Sequence, residues 1–184
     1  IRSLKEGLIA NKISKIYGIF NGTSNYILSS MDKENKNFEE VLLTAKKLGY
    51  AESNPSADLN GSDVSSKLKI LSSLCFNSFL NDKIYVEGIK NIDKIDIINA
   101  NKLGYKIKLL GFSEFFNNKF YQRVHPTLIR KESYVASIDG VLNAVIIDGH
   151  PVGESVIQGE GAGPAATTSA LISDISSILR GNIK

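Results

Sequence analysis

The 184-residue chain contains one cysteine, one methionine, two histidines and no tryptophan. The lone Cys75 rules out an intrachain disulfide, which suits a reducing, cytoplasmic setting. It sits in the apolar run 70–76 with no histidine near it in sequence, so it reads as a buried core thiol rather than a nucleophile. His125 and His150 lie far apart and have no cysteine partner, so no metal site is expected. No apolar run approaches the ~20 residues needed to cross a bilayer, and no secretory leader opens the chain. A membrane partner is therefore not expected. Charge of one sign is also scarce: 22 Lys and Arg face 19 Asp and Glu, for a net charge of +3. The lysines are spread rather than clustered, which argues against nucleic acid as a partner. The serines at 65, 66, 72 and 73 lack a Gly-x-Ser-x-Gly elbow, which argues against a hydrolase triad. There is no initiator methionine, and the opening Ile-Arg-Ser-Leu is expected to be a cut.

What is present is ordinary for a globular domain, with 42% hydrophobic and 22% charged residues. A chain of this length can bury a core without staples. Ile1, Leu4, Leu8 and Ile9 share a helical face, and the β-branched and aromatic run 12–20 predicts a strand. Asn21-Gly22-Thr23-Ser24 breaks that pattern, and helical spacing resumes through Tyr26, Ile27 and Met31, with Thr23 near a helix start. Asn37 and Glu40 form a capping box for a second helix that Gly49 ends as a left-handed cap. The polar stretch 50–60 reads as loop, and a third helix starts at Gly61 or Ser62 with Val64, Leu68, Leu71 and Cys75 inward.

Beyond Asn81 the pattern turns to strands at 84–89, 105–112, 120–125 and 142–147, with an amphipathic helix across 92–103. The turn 148–151 should return the chain antiparallel through 154–158, and a glycine run then leads into a final helix over 164–179. Helices first and strands after predict an α+β fold, a mixed, largely antiparallel sheet covered by helices.

Polar chemistry concentrates in residues 50–67. Asp63 and Lys67, four apart, share one face of the third helix, and Glu52 and Asp58 lie on the loop before it. Three carboxylates and one ammonium within a loop and a helical turn suit an amino-acid substrate: the carboxylates grip an α-ammonium, and the lysine exchanges a proton with a reacting oxygen. The same spacing also fits a plain surface pair worth ~0.2–0.5 kcal/mol, with acids placed by the helix dipole. Gly159, Gly161 and Gly163 precede a helix, so their backbone could approach a phosphate. The spacing is not the Rossmann Gly-x-Gly-x-x-Gly, and too few residues follow for a βαβ unit. A loop that visits a nucleotide held elsewhere and a merely flexible loop both fit.

Taken in order, three segments resemble homoserine dehydrogenase. These are Gly18-Ile19-Phe20-Asn21-Gly22-Thr23-Ser24-Asn25-Tyr26-Ile27-Leu28; Leu48-Gly49-Tyr50-Ala51-Glu52 through Pro55, Ala57-Asp58, Gly61, Asp63 and Lys67-Leu68; and Val141-Leu142-Asn143-Ala144-Val145 with Gly159-Glu160-Gly161-Ala162-Gly163. The likeness spans nearly the whole chain. It implies reversible reduction of L-aspartate 4-semialdehyde to L-homoserine with NADP or NAD as cofactor, on the path to threonine and methionine. It further implies that Glu52 holds the substrate ammonium, that Thr23 and Tyr50 line the pocket, and that Asp58 supports it. Asp63 and Lys67 would then lie at the reacting oxygen, with Lys67 the proton donor. The cofactor would meet Gly159, Gly161 and Gly163 but be bound mainly by an amino-terminal Rossmann domain, whose fingerprint and second lysine do not lie in these residues. The family's sheet implies a homodimer. Residues 1–158 would form the substrate-binding and dimerising domain, and 159–184 would return to the nucleotide domain. This sequence departs from the family at Asn54-Pro55-Ser56-Ala57, where the family has Asp-Pro-Thr-Ala, and at Pro164-Ala165-Ala166-Thr167, where it has Leu-Pro-Thr-Ala. Such a fragment would not turn over by itself. A non-catalytic assembly module, or a dehydrogenase for another small amino-acid aldehyde, are the alternatives.

Overall fold

A computed structural model describes residues 1–76 and 83–181. A single helical turn at Ser3–Gly7 leads into β1 (Lys12–Ile19), α1 (Gly22–Glu34), α2 (Phe38–Lys47), α3 (Ser56–Leu59) and α4 (Ser62–Phe76). Then follow β2 (Tyr85–Val86), α5 (Lys94–Lys102), β3 (Tyr105–Phe116), β4 (Lys119–Arg130), β5 (Leu142–His150), β6 (Gly153–Glu160) and α6 (Pro164–Leu179). The six strands form one sheet in the order β2-β4-β3-β1-β5-β6. Every pairing is antiparallel except the parallel β2–β4 contact, so the sheet is mixed and largely antiparallel as the sequence predicts.

The main core lies between the helices and one face of this sheet. Ile27, Leu28 and Met31 of α1, Val41 and Ala45 of α2, Val64 and Leu68 of α4 and Ile97 of α5 meet Leu109 and Val124 of the sheet. Gly111 makes this packing possible, because a Cβ there would stand 2.8 Å from the Phe20 ring. Phe20, just beyond the end of β1, therefore packs its ring against β3 at Gly111. Cys75 is half-buried against Leu4, Ile16 and Ile147, and burial pushes its thiol up to about 12. It is thus unionised and inert at neutral pH, although less enclosed than a core thiol was expected to be.

Several boundaries differ from expectation for local reasons. The expected strand 84–89 shrinks to two residues because the chain leaves β4 to pack on α3. The Ile89 N–H donates to the Leu59 carbonyl at 2.8 Å, and Gly88 lies so close that a Cβ would be 2.0 Å from the same oxygen. The polar stretch 50–60 contains a helical turn, α3, that sinks Leu59 into the core. Helix α5 starts two residues late because Asp93 caps it, its N–H donating to the Asp96 carboxylate at 2.8 Å. Strand β4 runs straight through Pro126, which pairs with Leu109 of β3. Its other edge is unpaired there, since β2 ends at Val86 opposite Val124, so the missing N–H breaks no ladder. Strand β6 continues to Glu160 and takes Gly159 into the sheet opposite Asn143.

A closed polar cluster sits beside α1. Lys108 is 1% exposed, and its ammonium donates to Asn25 Oδ1 at 3.0 Å, the Ile138 carbonyl at 2.6 Å and Asp139 Oδ1 at 2.7 Å. Lys33 and Lys106 reach the other oxygen of Asp139 at 3.0 and 3.3 Å.

Candidate active site

The first turn of α1 organises the site. Asn21 caps the helix, its Oδ1 accepting from the Ser24 N–H at 2.8 Å. Its amide nitrogen donates to Asp58 Oδ1 at 2.7 Å and to Asp63 Oδ2 at 2.9 Å, joining α3 and α4 to the same point. Thr23 Oγ1 donates to the Tyr50 carbonyl at 2.6 Å, and the Tyr50 ring packs on Tyr26 with centroids 4.9 Å apart. These contacts hold the loop after α2 against α1. Gly22 is required where β5 begins, since a Cβ would stand 2.7 Å from the Val141 carbonyl.

Helix α4 supplies the acid and the cation. Its start is set by Gly61, whose φ is +83°, and by Asn60 Oδ1, which accepts from the Ser62 N–H at 2.9 Å. One turn on, Lys67 Nζ donates to Asp63 Oδ2 at 2.8 Å and to the Phe20 carbonyl at 2.9 Å. An ammonium has three N–H groups, so these two bonds leave one to aim at a ligand. The Lys67 side chain is 46% exposed, so it is held at its tip yet open to the solvent side.

Thr23, Tyr50, Glu52, Asp58, Asp63 and Lys67 all line one cavity of about 570 Å³. Gly161 and Gly163 form its opposite edge, where the chain turns into α6. Gly159 is not on the wall; it lies in β6. Among the described residues, the walls carry the carboxylates of Glu52, Asp58, Asp63 and Glu160 against one ammonium, that of Lys67. Such a field favours a ligand that brings its own positive charge.

Three lining residues with polar side chains are not among the expected site residues: Asn21, Asn143 and Glu160. Asn21 looked like a turn residue, although an Asn just before a helix is itself the signal of a cap. Asn143 packs its amide where a Cβ of Gly161 would stand, 2.0 Å away, and its Oδ1 is buried without a hydrogen-bond partner among the described residues. Glu160 ends β6, and only the three-dimensional turn into α6 brings it to the cavity.

The glycine edge is open and unencumbered by side chains at Gly163. Gly163 has a φ of +109°, and nothing lies within 4 Å of where its Cβ would be. It opens a 16-residue helix that begins at Pro164, which has no N–H, so the free amides of its first turn are those of Ala165 and Ala166. Residues here could accommodate the phosphate of a nucleotide. Among the described residues, no group of three or more His, Cys, Asp or Glu is arranged to hold a metal ion, and no helix is long and apolar enough to cross a membrane.

Comparison with known proteins places this geometry. Residues 1–176 match the family model for homoserine dehydrogenase. The chain is 46% identical over 181 residues to a homoserine dehydrogenase of Neisseria gonorrhoeae, covering 98% of this chain and 42% of that one. The homoserine dehydrogenase of Thiobacillus denitrificans superposes with a TM-score of 0.93 at 43% identity, over 97% of this chain and 42% of that chain. A hyperthermophilic archaeal homoserine dehydrogenase mutant solved in complex with NADPH superposes at 0.79 with 27% identity, over 96% of this chain and 50% of its own. The chain thus spans about two-fifths of the length of the curated relatives it matches, 42% in the first of them. By its family model and its identity along nearly its whole length, the chain belongs to the homoserine dehydrogenase family.

Proposed function

We propose that this chain is the substrate-binding and dimerising part of an enzyme that interconverts L-aspartate 4-semialdehyde and L-homoserine in the cytoplasm, on the route to threonine and methionine. The observation that carries the reading is the convergence of Glu52, Asp63 and Lys67, from a loop and a helix, on one cavity together with Thr23, Tyr50 and Asp58. Glu52 holds the α-ammonium of the substrate, and the surplus of carboxylates on the walls supports that role. Thr23 and Tyr50 shape the pocket around the short side chain, and Asp58 steadies Asp63 through their shared amide. Lys67 donates a proton to the substrate oxygen during reduction and takes one back during oxidation, using the N–H left over from Phe20 and Asp63. Asp63 keeps that ammonium in place.

A bound NADPH or NADH supplies the hydride when the enzyme is assembled. Gly161, Gly163 and the start of α6 hold an anionic part of that cofactor, and Gly159 supports them from β6. Residues 159–184 pack with a nucleotide-binding domain supplied by the rest of the longer protein, and residues 1–158 form the substrate domain. In support, α6 has no buried residue and exposes Leu171, Ile172 and Ile175. The sheet face away from the helices forms a homodimer. It carries Tyr17, Val156 and Phe112, with the Arg123 guanidinium 4.1 Å from the Phe112 ring.

The test is homoserine oxidation, followed by the appearance of reduced nicotinamide. The full-length protein containing this chain is expected to turn over, and residues 1–184 alone are not. Equal turnover by the two would overturn the division of labour, and no turnover by the full-length protein would overturn the activity.

A further inference from the structure

We propose that Asn21 is a positioning residue of the reaction: it holds Asp58 and Asp63 apart as two acceptors and so locks the Asp63–Lys67 pair in its proton-transferring geometry. The proposal rests on the dehydrogenase reading above. Asn21 is 5% exposed and uses all of its carboxamide. Its oxygen accepts the Ser24 N–H at 2.8 Å, while its nitrogen donates at 2.7 Å to Asp58 and at 2.9 Å to Asp63. Only this orientation of the amide matches donors with acceptors, because two carboxylates cannot both face the carbonyl side.

The chemistry of the choice is specific. The two aspartates come from different helices and repel each other, so something must stand between them. A second cation there would compete with Lys67 for Asp63. A hydroxyl has one hydrogen and cannot donate to both acids. A neutral amide does both jobs and adds no charge. Asp63 Oδ2 then accepts from Asn21 and Lys67 together, which fixes its plane and hence the direction of the lysine. Among the described residues, the other charged and titratable groups on the cavity walls are Glu52, Glu160 and Tyr50, and Lys67 is the only cation.

Because Asn21 also caps α1, the test must separate capping from positioning. In the full-length enzyme, Asn21→Asp and Asn21→Ser both keep an oxygen able to cap the helix, yet each loses the two amide donors. We expect both to lower kcat for homoserine oxidation on the order of 10²-fold, the scale of a misplaced reacting group. KM for the nicotinamide nucleotide should change little. The Asp variant sets a third carboxylate beside the other two, whereas the Ser variant adds no charge. Like charges then push the three carboxylates apart, so the loss of kcat in the Asp variant should exceed that of the Ser variant. If both variants keep parental kcat and only unfold earlier, Asn21 is a cap alone and the proposal falls. If the unsubstituted enzyme does not oxidise homoserine, the dehydrogenase reading itself falls and takes this one with it.

Discussion

Two clusters of Asn, Asp and Lys hang on α1 one turn apart, and they differ in how far each opens to a cavity. In the first, Asn21 joins Asp58 and Asp63, and Asp63 holds a Lys67 whose side chain is 46% exposed at a cavity. In the second, Asn25 and Asp139 hold a Lys108 that is 1% exposed. Residue types and distances are nearly the same. The difference is in the unspent valence of the lysine. Lys67 makes two bonds and keeps one N–H for a ligand, whereas Lys108 makes three and keeps none. Burial pushes the Lys108 ammonium down from its ordinary value while Asp139 pulls the other way. Burial pushes the Asp139 carboxyl up, but the ammoniums of Lys108, Lys33 and Lys106 together bring it below the usual carboxylate range. On the proposed function, the open cluster serves activity and the closed one serves stability.

That contrast is broken most directly by removing each lysine system in turn. Lys67→Met in the full-length enzyme should lower kcat by about 10²–10⁴-fold, the contribution of a positioned acid–base group. Its unfolding free energy should change by no more than about 0.5 kcal/mol, the scale of an exposed helical pair. An active Lys67→Met enzyme would remove the distinction altogether. Asp139→Ala leaves a buried ammonium uncompensated, which costs about 3–5 kcal/mol, read by denaturant unfolding. The depressed Asp139 contributes stability that is complete above its unfolded value, about 3.9, and fades as the pH falls through its lower folded value. The gap between parent and variant should therefore narrow below about pH 4. On the alkaline side the gap should also narrow. Without its carboxylate, Lys108 loses its proton more easily in the folded state than in the unfolded, so the variant gains stability as pH rises. A gap independent of pH at both ends would show that the pair is not what is being measured.

The first cluster was legible in the sequence and the second was not, for a physical reason. Asp63 and Lys67 are joined by a helical period, and Glu52 and Asp58 sit in the short polar segment before them, so local spacing carries the signal. Lys108 sits in Lys106-Ile107-Lys108-Leu109, an alternation that ordinarily marks a half-exposed strand. Its burial depends on Asn25 and on the turn at Ile138 and Asp139, which are distant in sequence. The same rule sorts the fold. The capping box at Asn37, where Glu40 accepts from the Asn37 N–H at 3.0 Å, and the left-handed Gly49 were read correctly because they are local. The collapse of 84–89 to two paired residues and the passage of β4 through Pro126 depend on which neighbour is beside the strand. Asn21 falls between these cases: its cap is local, but its two aspartates are not.

A path of hydrogen bonds runs from the closed cluster toward the open one. Ser29 lies on it, since its hydroxyl accepts the Gly140 N–H at 3.0 Å and donates back to α1 at the Asn25 carbonyl. Gly140 immediately precedes Val141, which lines the cavity. Ser29→Ala orphans that N–H, so stability should fall by about 1 kcal/mol. The turn is nevertheless held twice more, because the Asn25 amide donates to the carbonyls of Ile138 and Leu142, each at 3.1 Å. Val141 should therefore stay in place, and KM for homoserine in the full-length enzyme should remain within about threefold of the parent, under 1 kcal/mol of binding energy. A rise of tenfold or more, about 1.4 kcal/mol, with kcat unchanged would mean that the buried lysine cluster sets the width of the substrate pocket. The division between an open cluster for activity and a closed one for stability would then have to be abandoned.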